Sequence, residues 1–81
     1  MSIWQILGKL AFSDSGETLQ RVSSNTTVSS SGTVYTHTGN TTVGSDGSTF
    51  VQTGHMSSDG SVRTGSLSTG IGAVLGSRMD D

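Results

Sequence analysis

The chain of 81 residues has no cysteine and no proline, and charged residues make up only 12% of it. Without cysteine, neither a disulfide framework nor a thiolate metal site is possible. Without proline, nothing interrupts the hydrogen-bond ladder of a sheet. The few basic residues are scattered, so no basic patch indicates nucleic-acid binding. They are Lys9, Arg21, Arg63 and Arg78.

Long apolar runs are also missing. No segment approaches the roughly 18 apolar residues that a membrane-spanning helix needs, so no membrane span is predicted. The first twelve residues are apolar but carry only Lys9, unlike a signal peptide with its charged start and longer apolar run. A cytoplasmic location is the default expectation, with leaderless export or assembly into a particle as alternatives.

The size and composition predict one small domain, residues 1–81, with a thin core. Leu, Ile, Val and Phe number 17 of 81 residues, about 21%, barely above the roughly 20% below which disorder is expected. Disorder also needs high net charge, and the formal charge is only −2. We therefore expect an ordered chain that completes its core by forming a homo-oligomer or by docking on a host or assembly protein.

Four turn signals recur along the chain, and their glycines are 16, 15 and 13 residues apart. They are Ser15-Gly16, Ser31-Gly32, Asp46-Gly47 and Asp59-Gly60. Glycine at the second central position of a turn, after Asp or Ser, is typical of two-residue β-hairpin loops. The spacing predicts a mainly β fold, an antiparallel meander of repeated hairpins over residues 12–65.

Two-residue turns at these glycines predict one apolar row along a single face of the sheet. The pairs would be Phe12 with Leu19, Val28 with Tyr35, and Val43 with Phe50. Loops at Ser23-Ser24 and at Thr38–Asn40 would join the pairs into one row over six strands. Side chains alternate between the two faces, so a slip of one residue would scatter this row. The other face would be rich in hydroxyl groups. It would be either exposed to solvent or packed against another copy of the chain.

The two ends of the chain differ in character from the repeats. Ser2 and Gln5 form a capping-box pattern, and apolar residues recur at helical spacing after it. This pattern predicts a short amphipathic helix over residues 3–10, which needs a packed surface because roughly 12 residues are required for independent helicity. Residues 66–81 form an apolar, glycine-rich C-terminal segment. It is interpreted as core cover or a subunit contact, with a flexible tail as the alternative, and its Gly72-x-x-x-Gly76 spacing lies in too short an apolar stretch to indicate a membrane helix.

No constellation of residues indicates catalysis, a cofactor or a metal ion. His37 and His55 are the only histidines. They are predicted to be ordinary sheet-surface and loop residues, with a pH switch as the alternative because histidine titrates near neutrality. Asp14, Asp46 and Asp59 lack the nonapeptide spacing of calcium-binding β-rolls, and turn chemistry accounts for them. We therefore expect a protein that is not an enzyme.

One stretch of the chain resembles repeats found in other proteins. Residues 39–49, with the sequence GNTTVGSDGST, are similar to tandem GNTT…SDG hairpin repeats of uncharacterised bacterial or phage proteins. The resemblance covers about residues 25–66. It implies a bacterial or phage origin, and no activity is associated with it.

Two functions from different classes remain open. The first is a structural, self-associating β protein, a subunit of a filament, a ring or a larger bacterial or phage assembly. The alternative is a small monomeric binding module, such as a phage-encoded inhibitor or adaptor. The residues predicted to form the interaction contacts are Ile3, Trp4, Leu7, Leu10, Tyr35, Phe50, Ile71, Val74 and Leu75.

Overall fold

The computed structural model describes residues 3–79. They form an antiparallel meander of ten strands and one short C-terminal helix, which confirms the mainly β, hairpin-repeat prediction. The elements are β1 (Trp4–Leu7), β2 (Leu10–Ser13), β3 (Thr18–Ser23), β4 (Thr26–Ser29), β5 (Val34–Thr38), β6 (Thr41–Gly44), β7 (Thr49–Thr53), β8 (Met56–Ser57), β9 (Arg63–Thr64), β10 (Leu67–Ser68) and α1 (Ile71–Ser77).

The meander curls into a nearly closed barrel. Strand β10 returns to pair with β1, with Trp4 opposite Ser68. Between β8 and β9 the barrel is closed by a single isolated β-bridge, which joins Met56 and Val62. The sheet therefore wraps around an interior, and almost every described strand has a neighbour on both sides.

The four glycine turns lie at one end of the barrel, which we call the upper rim, and each is one residue longer than predicted. In the first turn the Ser13 amide donates to the Glu17 carbonyl (2.9 Å), and the Gly16 amide donates to the Ser13 carbonyl (3.1 Å). Three residues thus lie between the paired positions, and Gly16 has φ of +93°. This is the three-residue hairpin loop in which a turn is followed by glycine in a bulge.

The longer turn overturns the predicted apolar row. Leu19 lies opposite Ala11 instead of Phe12, and Tyr35 lies opposite Thr27 instead of Val28. Because side chains alternate between faces, one extra residue in a turn moves the whole preceding strand to the other face. Leu19, Tyr35 and Phe50 face the interior as predicted, whereas the other three members of the row face outward. Those three are Phe12, Val28 and Val43.

Two-residue loops make up the opposite end, the lower rim. Gly39 of the Gly39-Asn40 loop has φ of +61°, and Asn40 has no positive φ. Glycine at the first central position alone is typical of a type II′ hairpin turn. The Ser24-Asn25 loop has no glycine, and there the register shifts between Arg21 and Ser23. Such a shift is typical of a β-bulge, in which one strand has an extra residue.

The predicted helix over residues 3–10 is wrong within the described residues, where β1, a glycine turn and β2 occupy that stretch. Burial alternates along Trp4–Leu7, with Trp4 and Ile6 buried and the residues between and after them exposed. That alternation has a period of two, and Gly8 at φ +62° supplies the sharp turn into β2. Pairing with β10 and β2 satisfies the backbone, which a two-turn helix could do only in part. Ser2 of the predicted capping box lies outside the described residues.

The helix α1 occupies the barrel interior and completes the core, so the prediction of core cover for the C-terminal segment is confirmed. Ala73, Val74 and Leu75 have no exposed surface. The core cluster combines helix and strand residues: Trp4, Ile6, Ala11, Leu19, Tyr35, Val74, Leu75 and Met79, with Phe50 and Ile71 packed against them. Tyr35 and Phe50 lie with ring centroids 6.3 Å apart.

Two glycines let α1 approach the sheet closely. A Cβ atom at Gly76 would lie 2.8 Å from the Cβ of Gln52, and one at Gly72 would lie 2.6 Å from the carboxyl carbon of Asp59. These separations are shorter than van der Waals contact between carbon atoms. The Gly72-x-x-x-Gly76 spacing therefore places the helix against β7 and the turn after β8.

We expect Gly76→Ala to destabilise the protein. Overpacking costs about 1–3 kcal/mol, and the better helix propensity of alanine returns at most about 1 kcal/mol. Urea unfolding, followed by the fluorescence of the single tryptophan, measures the net change. Ser77→Ala on the same helix is the matched control and should have a smaller effect. Equal or greater stability of Gly76→Ala would show that the helix has room to move away from β7.

Candidate functional site

The ionisable groups of the strands lie on the inner face of the barrel. Arg21 is opposite the buried Thr27, and Arg63 is opposite the buried Ser68. His37 is 4% exposed. No outward-facing position of the ten described strands therefore carries a charged side chain. This distribution is the reverse of that usual in soluble proteins, where charges cover the surface.

His37 forms the centre of a buried polar cluster, so its prediction as a sheet-surface residue is wrong. Its Nε2 is 2.8 Å from Thr27 Oγ1, and its Nδ1 is 2.8 Å from Thr42 Oγ1. Burial lowers the pKa of His37 to about 4, and the positive charges of Arg78 and Arg21 act in the same direction. The imidazole is neutral at pH 7, and both ring nitrogens are hydrogen-bonded, which suits a structural group better than a proton donor.

The helix is anchored at both rims by side chains from outside it. At the upper rim, Asp59 Oδ2 accepts from the Gly72 amide (3.0 Å), and Ser61 Oγ accepts from the Ala73 amide (2.7 Å). Gly70, at the N-cap position, offers no side-chain cap. At the lower rim, Arg78 Nη2 donates to the Gly39 carbonyl (2.7 Å). Hydrogen bonds to the rims therefore fix the height of the helix in the barrel.

The Asp59 carboxylate is specialised for this capping role. Burial by itself raises the pKa of the Asp59 carboxyl, but hydrogen bonds from Ser61 and Gly72 outweigh burial and hold the pKa below its ordinary value. Asp46 occupies the equivalent position in the preceding upper turn and bonds the amide and hydroxyl of Ser48 in the same way. Asp59 differs in its bond to the helix.

The structure divides the nine residues predicted for interaction into two groups. Trp4, Tyr35, Val74 and Leu75 are buried in the core, where Phe50 and Ile71 are partly buried. The other three are exposed on the outer wall: Ile3, Leu7 and Leu10 are 47%, 57% and 40% exposed. The nine residues therefore do not form one surface.

A group of exposed apolar residues lies on the outer wall around strands β10, β1 and β2, and we call it the wall patch. It consists of Ile3, Leu7, Leu10, Phe12 and Leu67. Leu7 lies directly opposite Leu10, and Gln5, between the patch residues, lies opposite both Phe12 and Leu67. Phe12 and Leu67 are 40% and 51% exposed. Exposed apolar areas of this kind mark interaction surfaces more often than isolated apolar residues do.

The surface of the wall patch has grooves that could accommodate a docking partner. A groove of about 260 Å³ is lined by residues of β1, β2 and the first upper turn, together with Leu67. A second groove of about 240 Å³ lies on the β9 side of the patch and includes Val62 and Thr64. Ile3 and Leu67 line both grooves, so they stand between them. The first groove therefore lies within the wall patch, and the second borders it at Ile3 and Leu67.

Sequence reasoning missed Phe12 and Leu67 as surface residues. A two-residue first turn places Phe12 in the apolar row, and this turn is one residue shorter than the turn in the structure. A three-residue loop over Asp14–Gly16 would have placed Ala11 inside and Phe12 outside. Leu67 is followed by Ser68 and preceded by the Gly65-Ser66 loop, so the pattern offered no alternation from which its face could be predicted.

No protein-family model, curated protein or solved structure matches this chain. Across residues 3–79, no group of three or more His, Asp or Glu side chains is arranged to hold a metal ion. The same part of the chain contains no helix of the length and hydropathy needed to cross a membrane. The wall patch is the candidate functional site on the grounds of its exposure and relief alone.

Replacing Asp59 by asparagine tests the cap. We expect Asp59→Asn to reduce the free energy of unfolding by about 1 kcal/mol, since helix caps contribute roughly 0.5–2 kcal/mol. Urea unfolding at pH 7 gives the value. Asp46→Asn is the matched control, because it has the same turn bonds but no helix contact, and it should lose less. Equal losses in the two variants would show that the bond to the helix contributes nothing.

Protonation of His37 should destabilise the fold. The pKa of His37 is about 4 in the folded chain and about 6.5 in an unfolded one, so the stability present above pH 6.5 is lost as the pH falls toward 4. The loss is on the order of 2–3 kcal/mol. Urea unfolding at pH 7.5, 5.5 and 4.5 measures it.

In the same series, His37→Asn should flatten the pH dependence of the free energy of unfolding between pH 6.5 and 4. The control variant His55→Asn, in an exposed loop, should preserve this dependence. The pKa of the Asp59 carboxyl lies below its ordinary value. The stability that this carboxylate contributes is therefore lost on protonation at a lower pH than the stability lost through His37. An unchanged slope in His37→Asn would show that His37 titrates normally.

Proposed function

We propose that this protein is a non-enzymatic structural subunit that associates with further copies of itself through the outer wall of its barrel. The observation that carries the proposal is the wall patch, four exposed apolar residues on three neighbouring strands together with Ile3 directly before β1. The outward positions of the described strands also carry no charge. Removing this side of the barrel from water therefore costs little desolvation free energy.

The shape of the sheet favours association through the wall over association through strand edges. An open meander has two edges that can pair with another chain. Here β10 pairs with β1, and β8 and β9 are joined by a bridge, so little unpaired backbone is left for strand addition. Association by packing of faces remains, and the wall patch is the face with the largest exposed apolar side chains.

The use of the ionisable groups supports a structural role. His37 is buried between two threonines, and Asp59 holds the helix N-terminus. Arg78 bonds a lower-rim carbonyl. Each of these groups has a partner that stabilises the fold, whereas catalysis requires groups placed to reach a substrate.

A monomeric binding module is the second candidate, and one observation favours it. The helix α1 fills the interior with residues of the same chain, so the core does not depend on a second copy. In that case the wall patch would dock a different protein. The two candidates differ in whether the purified chain associates by itself.

Light scattering coupled to size-exclusion chromatography tests the proposal. We expect the wild-type chain to associate as its concentration rises from micromolar to millimolar. Phe12→Thr combined with Leu67→Thr should shift the equilibrium to the monomer, because the transfer of apolar area from water drives the contact. Threonine already occupies outward positions such as Thr36, so these changes preserve the strand.

Val43→Thr is the matched control. Val43 is 48% exposed but lies on β6, away from the wall patch, so its replacement should leave the association unchanged. A wild-type chain that is monomeric at every concentration would overturn the structural-subunit proposal and favour the binding module.

A further inference from the structure

We infer that two copies of this chain pack wall patch against wall patch about a two-fold axis, with the strands of the two copies running in opposite directions. Lys9 of each copy then lies against Asp14 of the other. This inference rests on the proposed function, and it specifies the partner and the orientation of the contact.

Charge decides the orientation. Lys9 lies in the lower-rim loop before β2, and Asp14 lies in the upper-rim turn after it, so the two residues stand at opposite ends of β2, the strand that carries Leu10 and Phe12. Both are exposed. In a two-fold contact with strands running in the same direction, Lys9 would meet Lys9 and Asp14 would meet Asp14. With opposed strands both contacts join opposite charges, which is the complementarity that fixes the orientation of an interface.

The relief of the wall patch favours the same orientation. The groove beside Asp14 lies in the upper half of the patch and is lined by Ile3, Phe12 and Leu67. Leu7 and Leu10, paired with each other, lie at the lower end, and Leu7 is the most exposed member of the patch. Opposed packing brings the lower leucines of one copy to the upper groove of the other. Same-direction packing would instead set the two grooves against each other.

A two-fold contact is isologous, so every interaction in it occurs twice. The centre of the patch, where Gln5 lies opposite both Phe12 and Leu67, would lie at the axis. Gln5 is exposed and carries an amide that is both donor and acceptor. Such a group can hydrogen-bond to its own symmetry mate, whereas a charged residue at the axis would meet its like.

Single cysteines test this arrangement without interference, because the chain has none of its own. Lys9→Cys and Asp14→Cys are prepared as two variants with tags of different length, and each is treated with a short bismaleimide alone and in an equimolar mixture. We expect the mixed cross-linked dimer to dominate and neither variant to cross-link with itself. Thr38→Cys, on β5 away from the wall patch, is the control and should give only the background level of cross-linking. Circular dichroism establishes that each variant is folded.

Charge reversal is a second test that does not depend on cross-linking. We expect Lys9→Glu and Asp14→Lys each to weaken association about tenfold, since each places like charges at both symmetric contacts. An equimolar mixture of the two variants should restore it, because both contacts then join opposite charges. In same-direction packing neither single change would weaken association.

The outcomes separate the inference from the proposed function. Self-cross-linking of Lys9→Cys would show same-direction packing and overturn the inference, and the proposed function would stand. Association without cross-links in any mixture would place the contact on another surface, which would overturn the inference and also the wall patch as the contact of the proposed function. A chain that is monomeric at every concentration would overturn both.

Discussion

The length of the upper-rim turns determines which side chains this protein buries. Each of these turns has three residues between paired positions, and a glycine with positive φ closes it. Because side chains alternate along a strand, a turn of two residues would exchange the inner and outer faces of the strand before it. With three residues, Leu19, Tyr35 and Phe50 point inward, and Phe12 and Val43 point outward. The core, the polar interior and the apolar wall all depend on this one geometric choice.

The narrow core explains why the interior contains so much polar chemistry. Strands of two to six residues offer few inward positions, and many of these hold serine, threonine or histidine. A buried polar group is costly unless it is hydrogen-bonded, and the fold supplies bonds in two ways. His37 bridges Thr27 and Thr42, and Asp59 bonds the helix N-terminus. A helix of seven residues would not be stable in isolation, so its position depends on these bonds and on the close approach at Gly76.

The sequence was sufficient to predict the turns and the antiparallel pairing, and insufficient to predict the faces. Glycine after Asp or Ser locates a turn by local chemistry, and Gly16, Gly32, Gly47 and Gly60 all have positive φ in turns. Whether such a turn holds two or three residues depends on twist and closure, which are properties of the whole sheet. The helix predicted over residues 3–10 failed for a similar reason, since apolar residues in so short a segment fit both periods. Of the wall patch, Ile3, Leu7 and Leu10 were named from that mistaken helix, and Phe12 and Leu67 were missed.

Closure changes how a protein of this kind can associate. An open meander with hydroxyl-rich strands would extend by backbone pairing, which is indifferent to side-chain identity and hard to limit. Once β10 pairs with β1, the backbone is largely satisfied and association must use side chains. Side-chain contacts are specific, since they need matched relief and matched charge. With no charge on the outward positions of the described strands, the charges that remain available for orienting a contact lie at the rims, in the turns. Lys9, in the loop before β2, and Asp14, in the turn after it, are two such rim charges, so in the proposed contact the rims, not the strands, would supply the charge that orients a second copy.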